Sequence, residues 1–372
     1  MNIRILDTAN RRDVRQFVEF PFALYEDCPQ WMPPLVSSVK ATLDQRHYPF
    51  YRHSDAEFFL VEDKGDVVGR IAVLENRRYN DYNQRKAAFF YHFDVIDDVD
   101  VARALFDAAS DWAARRGLTM LYGPKGFLRS DAPGILIEGF EHRAALSMPY
   151  NYAYYPRLME RLGFEKEIDY LSGYVARGQD LDERFYALAD KIKERRGFWV
   201  KNFRSKRELR AWIPKIQRVN NEAFTEVWGY YPIDDAEVQM IGKQLLSVAN
   251  PRLMKVVMKG DDIAGFAFVF PDISEALKQV RGRLWPFGWI RVLWAMKTTR
   301  RMSGNGVGLL PEYQGMGGST LLYVELAKTL KAAKAIHCDL AQAMETNVKS
   351  LGDMNAIGAQ WYKRHRVYRR AI

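Results

Sequence analysis

A chain of 372 residues, 48% apolar and 27% charged, is long enough for two globular domains of ordinary size, and two cysteines, Cys28 and Cys338, argue against a disulfide framework. The 55 Lys and Arg against 46 Asp and Glu give a formal charge of +9, which favours acidic partners: an anionic cofactor, anionic lipid or nucleic acid. No run is apolar enough to span a bilayer, the opening MNIRILDTANRRDV is polar throughout, and the histidines and cysteines lie at no metal-ligand spacing, so a metal-free protein of the cytoplasm with no signal peptide is expected.

In chain order, residues 2–6 read as a short strand, followed by a helix from about Asn10. The aromatic and proline-rich passage FPFALYEDCPQWMPPL reads as irregular. Residues 56–73, AEFFLVEDKGDVVGRIAV, carry a β-hairpin pattern turning at Gly65, and AAFFYHFDVI (87–96) reads as a further strand. VARALFDAASDWAARRG (101–117) is a helix closed by Gly117, and LTMLYGP is another strand. Asn151 to Leu162 reads as a helix ending at Gly163, with a final strand near 169–175.

The second half repeats this order at an offset of about 195 residues, as in two copies of one domain. Asn10 to Phe17 corresponds to Ser205 to Trp212, the hairpin around Gly69 to the one around Gly265, the helix at Leu105 to that at Leu322, and Gly163 to Gly358. The expected division is therefore 1–190 and 191–372. Each copy carries one insertion: within 272–303 in the second, and around 124–149 in the first.

The most informative stretch is 304–334. The apolar run Val307-Gly308-Leu309-Leu310 ends a strand, Pro311-Glu312-Tyr313 turns, and Gln314-Gly315-Met316-Gly317-Gly318-Ser319 leads into a helix with Leu321, Leu322, Val324, Leu326 and Leu330 on its apolar positions. Backbone amides of such a loop can converge on an anion at a helix N-terminus, where the dipole favours negative charge. A glycine-rich strand-to-helix turn with no ligand is the plainer alternative. Neither G-x-x-x-x-G-K-S/T nor G-x-G-x-x-G fits this loop.

The string LPEYQGMGGS resembles the Q/R-x-x-G-x-G/A signature of the GNAT (GCN5-related N-acetyltransferase) acyltransferases, with Gln314 and Gly317 in register and Ser319 at the third position. The resemblance extends over nearly the whole chain and implies a mixed-sheet α/β fold of two tandem GNAT domains. It also implies an acyl-CoA-dependent N-acyltransferase whose strand end Leu309 and Leu310 and loop Gln314, Gly315, Met316, Gly317, Gly318 and Ser319 hold the pyrophosphate of coenzyme A. In the first copy Asp97, Asp98 and Asp100 replace that loop; they suit a helix cap and would repel a pyrophosphate, so only the second copy is expected to bind coenzyme A.

GNAT chemistry is attack of a deprotonated amine on a thioester, assisted by a donor at the carbonyl and an acid for the leaving thiolate. The strand Ile336 to Leu340 corresponds to the one that splays from its neighbour to admit the pantetheine arm. AMETNVKSLGDMNAIGA resembles the family's E-x-N pattern, which places Glu345 and Asn347 at the start of the last helix. Glu345 is a candidate catalytic residue or a solvent-facing one, and Asn347 a pantetheine contact or a helix cap. Tyr362 lies close to where GNAT enzymes carry a tyrosine acid, as does Tyr368, although tyrosines in a terminal strand more often pack. Glu312 reads as a base or as a complement to the helix dipole.

The inserted segment 280–301 holds Trp285, Phe287, Trp289 and Trp294 framed by Arg281, Arg283, Arg291, Lys297, Arg300 and Arg301, and from Gly288 it has helical spacing. That composition suits a peripheral membrane contact on the inner face as well as a packed helix. Its aromatics cluster with aliphatics instead of alternating with charge, so no nucleic acid is expected. The strings YGP, EGF and MPYNYAYYPRLMERLGF together with WPFGW look like a bacterial paired-GNAT group that includes proposed ceramide synthases, which implies a long-chain, sphingoid-like amine as acceptor. The alternatives are a soluble GNAT acetyltransferase for a small amine, a non-catalytic GNAT-fold binding module, and a nucleic-acid binder.

Overall fold

The computed structural model describes residues 1–176, 178 and 181–372. The first half runs β1 (Asn2–Ile5), α1 (Arg11–Leu24), α2 (Val36–Leu43), β2 (Asp55–Asp63), β3 (Asp66–Glu75), α3 (Arg77–Asn83), β4 (Ala87–Val95), α4 (Val99–Ala114), β5 (Met120–Gly123), β6 (Ile135–Glu138), α5 (Tyr155–Arg161) and β7 (Glu165–Ala176). The second runs α6 (Glu183–Arg196), β8 (Phe198–Asn202), α7 (Lys206–Ala223), α8 (Asp235–Val248), β9 (Met254–Lys259), β10 (Asp262–Pro271), α9 (Ser274–Gln279), α10 (Gly288–Thr298), β11 (Arg301–Leu309), α11 (Gly318–Ala332), β12 (His337–Met344), α12 (Val348–Ala356) and β13 (Gln360–Ala371). This is the mixed α/β architecture expected from the repeat.

Contacts group the chain differently from the linear division at 190. One unit comprises Met1–Tyr170, Ser274–Val292 and Lys363–Ile372; the other comprises Leu171–Ile273 and Leu293–Tyr362. In the first unit, strands follow the order β1-β2-β3-β4-β5-β13, antiparallel except for the parallel β4–β5 pair. The C-terminal strand thus completes the sheet of the first copy, with Tyr368 opposite Gly123 and Ala371 opposite Met120. In the second unit the order is β12-β11-β10-β9-β8, with the end of β7 beside β12.

Local chemistry explains the repeated elements. The β2–β3 hairpin turns on Lys64 and Gly65, both at positive φ (51° and 96°), the pair of left-handed residues that matches the twist of the flanking strands. Asn10 caps α1 by accepting from Arg12 N at 2.9 Å, and Ser205 caps α7 at the equivalent position by accepting from Glu208 N at 3.1 Å. Helix α4 buries Val101, Leu105, Phe106 and Trp112 against Phe59, Val61, Ile71 and Phe90. Helix α11 buries Leu321, Leu322 and Val324 with Val257, Ala267 and Met302, and Ile192 of α6 joins the same cluster.

Two expected boundaries move. The helix expected over Asn151 to Leu162 shrinks to α5, Tyr155–Arg161. The FPFAL segment, expected to be irregular, continues α1 to Leu24 through Pro21. Proline has no N–H to give the carbonyl four residues back, here Phe17 O. Arg70 supplies the missing donor: its Nη1 reaches Phe17 O at 2.6 Å, while its Nε donates to Asp94 Oδ2 at 2.7 Å. A helix carrying an interior proline is therefore kept by a buried guanidinium. Arg70→Leu should cost about 3–5 kcal/mol in urea unfolding, because it strands a carbonyl and a carboxylate together. Adding Pro21→Ala, which restores the N–H toward Phe17 O, should recover about 1 kcal/mol of that loss.

Candidate functional site

The second unit holds a parallel strand pair that parts. β11 and β12 are paired from Arg301↔His337 to Gly304↔Leu340, yet β11 continues to Leu309 and β12 to Met344. On its other edge β11 pairs with β10, where Phe268 lies opposite Gly306 and Val269 opposite Gly304. Asn305 is the extra residue of this β-bulge and kinks β11 at the point of parting. Five residues at about 3.3 Å each make the parted segment roughly 17 Å deep. Phe224 closes on Gly308, where an added Cβ would lie 3.0 Å from its ring, and the Phe266 and Phe268 rings stack at 4.6 Å on β10.

Past Leu309 the chain makes a 3-10 turn over Pro311–Tyr313 and enters the glycine loop. Leu310 is buried and its N–H donates to Ala264 O at 2.9 Å, while Gln314 reaches back through Nε2 to Leu309 O at 3.4 Å. Gly315 and Gly317 have φ of 72° and 93°, and Gly317 is the N-cap of α11, which has no side-chain cap. The uncapped end leaves first-turn amides and the positive end of the helix dipole facing outward. The loop is also tied to α12: Lys349 Nζ donates to Gln314 Oε1 at 2.9 Å, and Ser319 and Tyr323 hydrogen-bond Asp353. Burial raises the Asp353 carboxyl, and those two hydroxyls pull it back part of the way. Asn347 caps α12, accepting from Ser350 N at 3.0 Å, which is the capping role of the two expected for it.

The corresponding place in the first unit, beside the parallel pair β4–β5, differs in geometry and in chemistry. β4 and β5 pair from Ala87↔Met120 to Phe89↔Tyr122, but β5 ends one residue later at Gly123, and the chain stays beside β4, with Lys125 N donating to Phe90 O at 2.9 Å. Phe127, fully buried, packs against Tyr48, Phe50 and Phe58 beside it. Asp98 caps α4 by accepting from Asp100 N and Val101 N, and Asp97 pairs with Arg157. The amides an anion would need are already taken by a carboxylate.

Sequence reasoning missed a polar cluster on β12. Asp339, 4% exposed, has its Oδ1 3.0 Å from His337 Nε2, and the Tyr362 hydroxyl donates to the same oxygen. Tyr174 stacks on the His337 ring at 4.8 Å and meets Tyr362 edge-on at 5.2 Å. The alternation of β12 puts His337 and Asp339 on one face and Cys338 and Leu340 on the other, packed with α11. Burial and Asp339 push the Cys338 thiol up to about 12, so this cysteine is a packing residue. Glu345 lies half-buried in the turn after β12. Glu345 stands six positions after Asp339 in the sequence. Tyr368, buried in the first unit, packs there. Glu312 is exposed at the 3-10 turn.

In the inserted segment, Arg283 pairs with Glu19 at 2.5 Å, and both Arg281 and Arg283 lie over the Phe22 ring. Trp285 is 84% exposed and Trp294 66%, with Phe287, Trp289, Ile290 and Leu293 also exposed; only Val292 of α10 is buried.

This arrangement is the tandem GNAT fold. The tandem GNAT protein of the clavulanic acid biosynthesis pathway superposes with a TM-score of 0.58 at 13% identity, covering 100% of this chain and 98% of that one. A GCN5-related N-acetyltransferase from Sphaerobacter thermophilus gives 0.53 at 14% identity, covering 100% and 95%. In sequence, the chain is 27% identical over 370 residues to Protein YghO of Escherichia coli (strain K12), covering 98% of this chain and 94% of that protein. It is 24% identical over 381 residues to the bacterial ceramide synthase of Caulobacter vibrioides (strain NA1000 / CB15N), covering 100% and 98%. These relatives are consistent with the paired-GNAT group that the sequence resembles. No family model matches the sequence.

The glycines of the loop differ in what they require. A Cβ on Gly317 would lie 2.4 Å from Ile192 Cδ1 at φ 93°, whereas one on Gly315 would meet nothing within 4 Å. Gly317→Ala should therefore lower unfolding free energy by about 2–4 kcal/mol, backbone strain and overpacking together. Gly315→Ala should cost about 1 kcal/mol from its φ alone, and chemical denaturation of both variants measures the difference.

Proposed function

We propose that this protein is an acyl-CoA-dependent N-acyltransferase that binds the thioester in its second unit. The observation that carries the reading is the combination of parted strands with an uncapped glycine-rich helix N-terminus at their open end. The loop Gln314 to Ser319 and the first turn of α11 would hold the pyrophosphate, with Lys349 adding a positive charge beside Gln314. The pantetheine arm would run down the gap past Leu309, giving its amides to strand backbone, and bring the thioester toward the bulge at Asn305. Phe224, Phe266 and Phe268 would form an apolar wall beside it. The first unit would serve as scaffold, the edge of β4 beyond β5 being met by its own chain at Lys125.

The acceptor in this reading is a primary amine, and the finer proposal is a long-chain, sphingoid-like one met at a membrane surface. The names of the solved relatives support acyl transfer to an amine, and that of the Caulobacter protein supports a lipid acceptor. Exposed Trp285, Phe287 and Trp294, with Lys297 and Arg300 alongside, have the composition of an interfacial helix on an anionic lipid surface. No helix among the described residues is long and apolar enough to cross a membrane, so such contact would be peripheral.

Gly315→Asp tests the loop with little disturbance of the fold, since Asp tolerates a left-handed φ and the space is open. It should weaken palmitoyl-CoA binding at least tenfold by calorimetry, about 1.4 kcal/mol or more, with the melting temperature nearly unchanged. Unaltered affinity would place the thioester elsewhere. Replacing Trp285, Trp289 and Trp294 together with serine should release the protein from phosphatidylglycerol vesicles in a sedimentation assay while leaving palmitoyl-CoA affinity intact. Unchanged co-sedimentation would end the membrane proposal.

A further inference from the structure

The cluster on β12 lies at the level where the β11–β12 pairing ends. Asp339 is one residue before Gly304↔Leu340, the last pair of the ladder, so its carboxylate is at the closed end of the gap. Its parallel partner Ser303 is buried, and the Ser303 hydroxyl donates to Asn305 Oδ1 at 2.8 Å, linking this level to the bulge. A carboxylate at 4% exposure is costly without donors, and here Tyr362 and His337 converge on one oxygen. Three strands contribute: His337 and Asp339 from β12, Tyr174 from β7 and Tyr362 from β13. Packing alone would be met by apolar side chains at these positions, as it is on the opposite face of β12.

The direction of the Tyr362 hydrogen bond decides its role. A tyrosine acid would point its hydrogen at the departing sulfur. Here that hydrogen is given to Asp339, and a hydroxyl so committed can offer a second group only its oxygen lone pairs. We infer that Tyr362 accepts the proton of the attacking amine, and that Asp339, held by His337, is the positioning residue that draws the tyrosine's own proton away. The inference rests on the acyltransferase reading above and adds to it the group that deprotonates the acceptor.

In the step, the lone pair of a neutral amine forms the N–C bond at the thioester carbonyl. The C–S electron pair leaves with sulfur as the coenzyme A thiolate. The amine proton passes to Tyr362 Oη as the Tyr362 proton passes to Asp339 Oδ1. The thiolate then takes a proton from solvent, and Asp339 releases its proton through Tyr362 to solvent, which restores the starting state. His337 donates to Asp339 throughout and, stacked on Tyr174, fixes the carboxylate in place.

The test uses the full chain with palmitoyl-CoA as donor and sphinganine as acceptor, and acetyl-CoA with ethanolamine as a second pair. Palmitoyl-CoA affinity is measured separately by calorimetry. Tyr362→Phe and Asp339→Asn should each lower kcat about 10²-fold or more, with palmitoyl-CoA affinity within twofold of wild type. Asp339→Glu keeps the carboxylate and should recover most of the rate, which a packing role would not predict. His337→Gln, retaining one donor, should fall between. Full kcat in Tyr362→Phe or Asp339→Asn would overturn the inference while leaving the acyltransferase reading in place. Loss of palmitoyl-CoA affinity in step with kcat would also overturn it, because the cluster would then be structural. A wild-type protein that binds no acyl-CoA would overturn the reading itself and the inference with it.

Discussion

A parallel ladder that stops after four pairs, while both of its strands continue, is the constraint on which the rest of the second unit depends. Extended backbone carries one N–H and one C=O per residue, and those that the ladder would have used face the gap. The bulge at Asn305 falls where the pairing ends, and Gly308 leaves room for Phe224 to approach the strand. Around this gap stand a glycine loop and helix N-terminus at the open end and a buried carboxylate with two donors at the closed end, while Phe224, Phe266 and Phe268 pack on the β10 side of β11.

The two copies share an order of elements and differ in what their parallel pair leaves open. In the first, β5 stops one residue after its last pair with β4, Lys125 N satisfies Phe90 O, Phe127 packs among Tyr48, Phe50 and Phe58, and Asp98 caps α4. In the second, glycines at positive φ replace the capping carboxylate, and α11 starts without a side-chain cap. A helix end satisfied by its own aspartate has no use for an external anion, whereas an uncapped end retains its donors for one. The difference lies in a few residues, Asp97 to Asp100 against Gln314 to Ser319.

Much of this was legible in the chain. The hairpins announce themselves by alternation around Gly65, and α4 and α11 by apolar spacing; the loop is visible because glycine clusters at a strand-to-helix junction have few uses. The capping of α12 by Asn347 follows from residue type. Other features depend on partners distant in sequence. Helix α1 continues through Pro21 because Arg70, on a strand far along the chain, supplies the donor that proline lacks. The cluster of His337, Asp339 and Tyr362 joins residues from separate strands, and the acidic residue in the middle carries no motif. A linear repeat also cannot say which sheet a strand will join, and β13 closes the sheet of the first copy with its last residues. Arg281 and Arg283, read from composition as part of a basic frame, face Phe22 and Glu19 because cation–π and ion-pair partners lie within reach in the fold.

The central claim, that one of the two copies receives an acyl-CoA thioester, is tested most directly by the stoichiometry of coenzyme A binding. Calorimetric titration of the full chain with coenzyme A, and with palmitoyl-CoA below its micelle concentration, should give one site per chain, weakened at least tenfold when Gly315 is replaced by aspartate. Two equivalent sites would contradict the contrast drawn between the copies, and no binding of either compound would contradict the account as a whole.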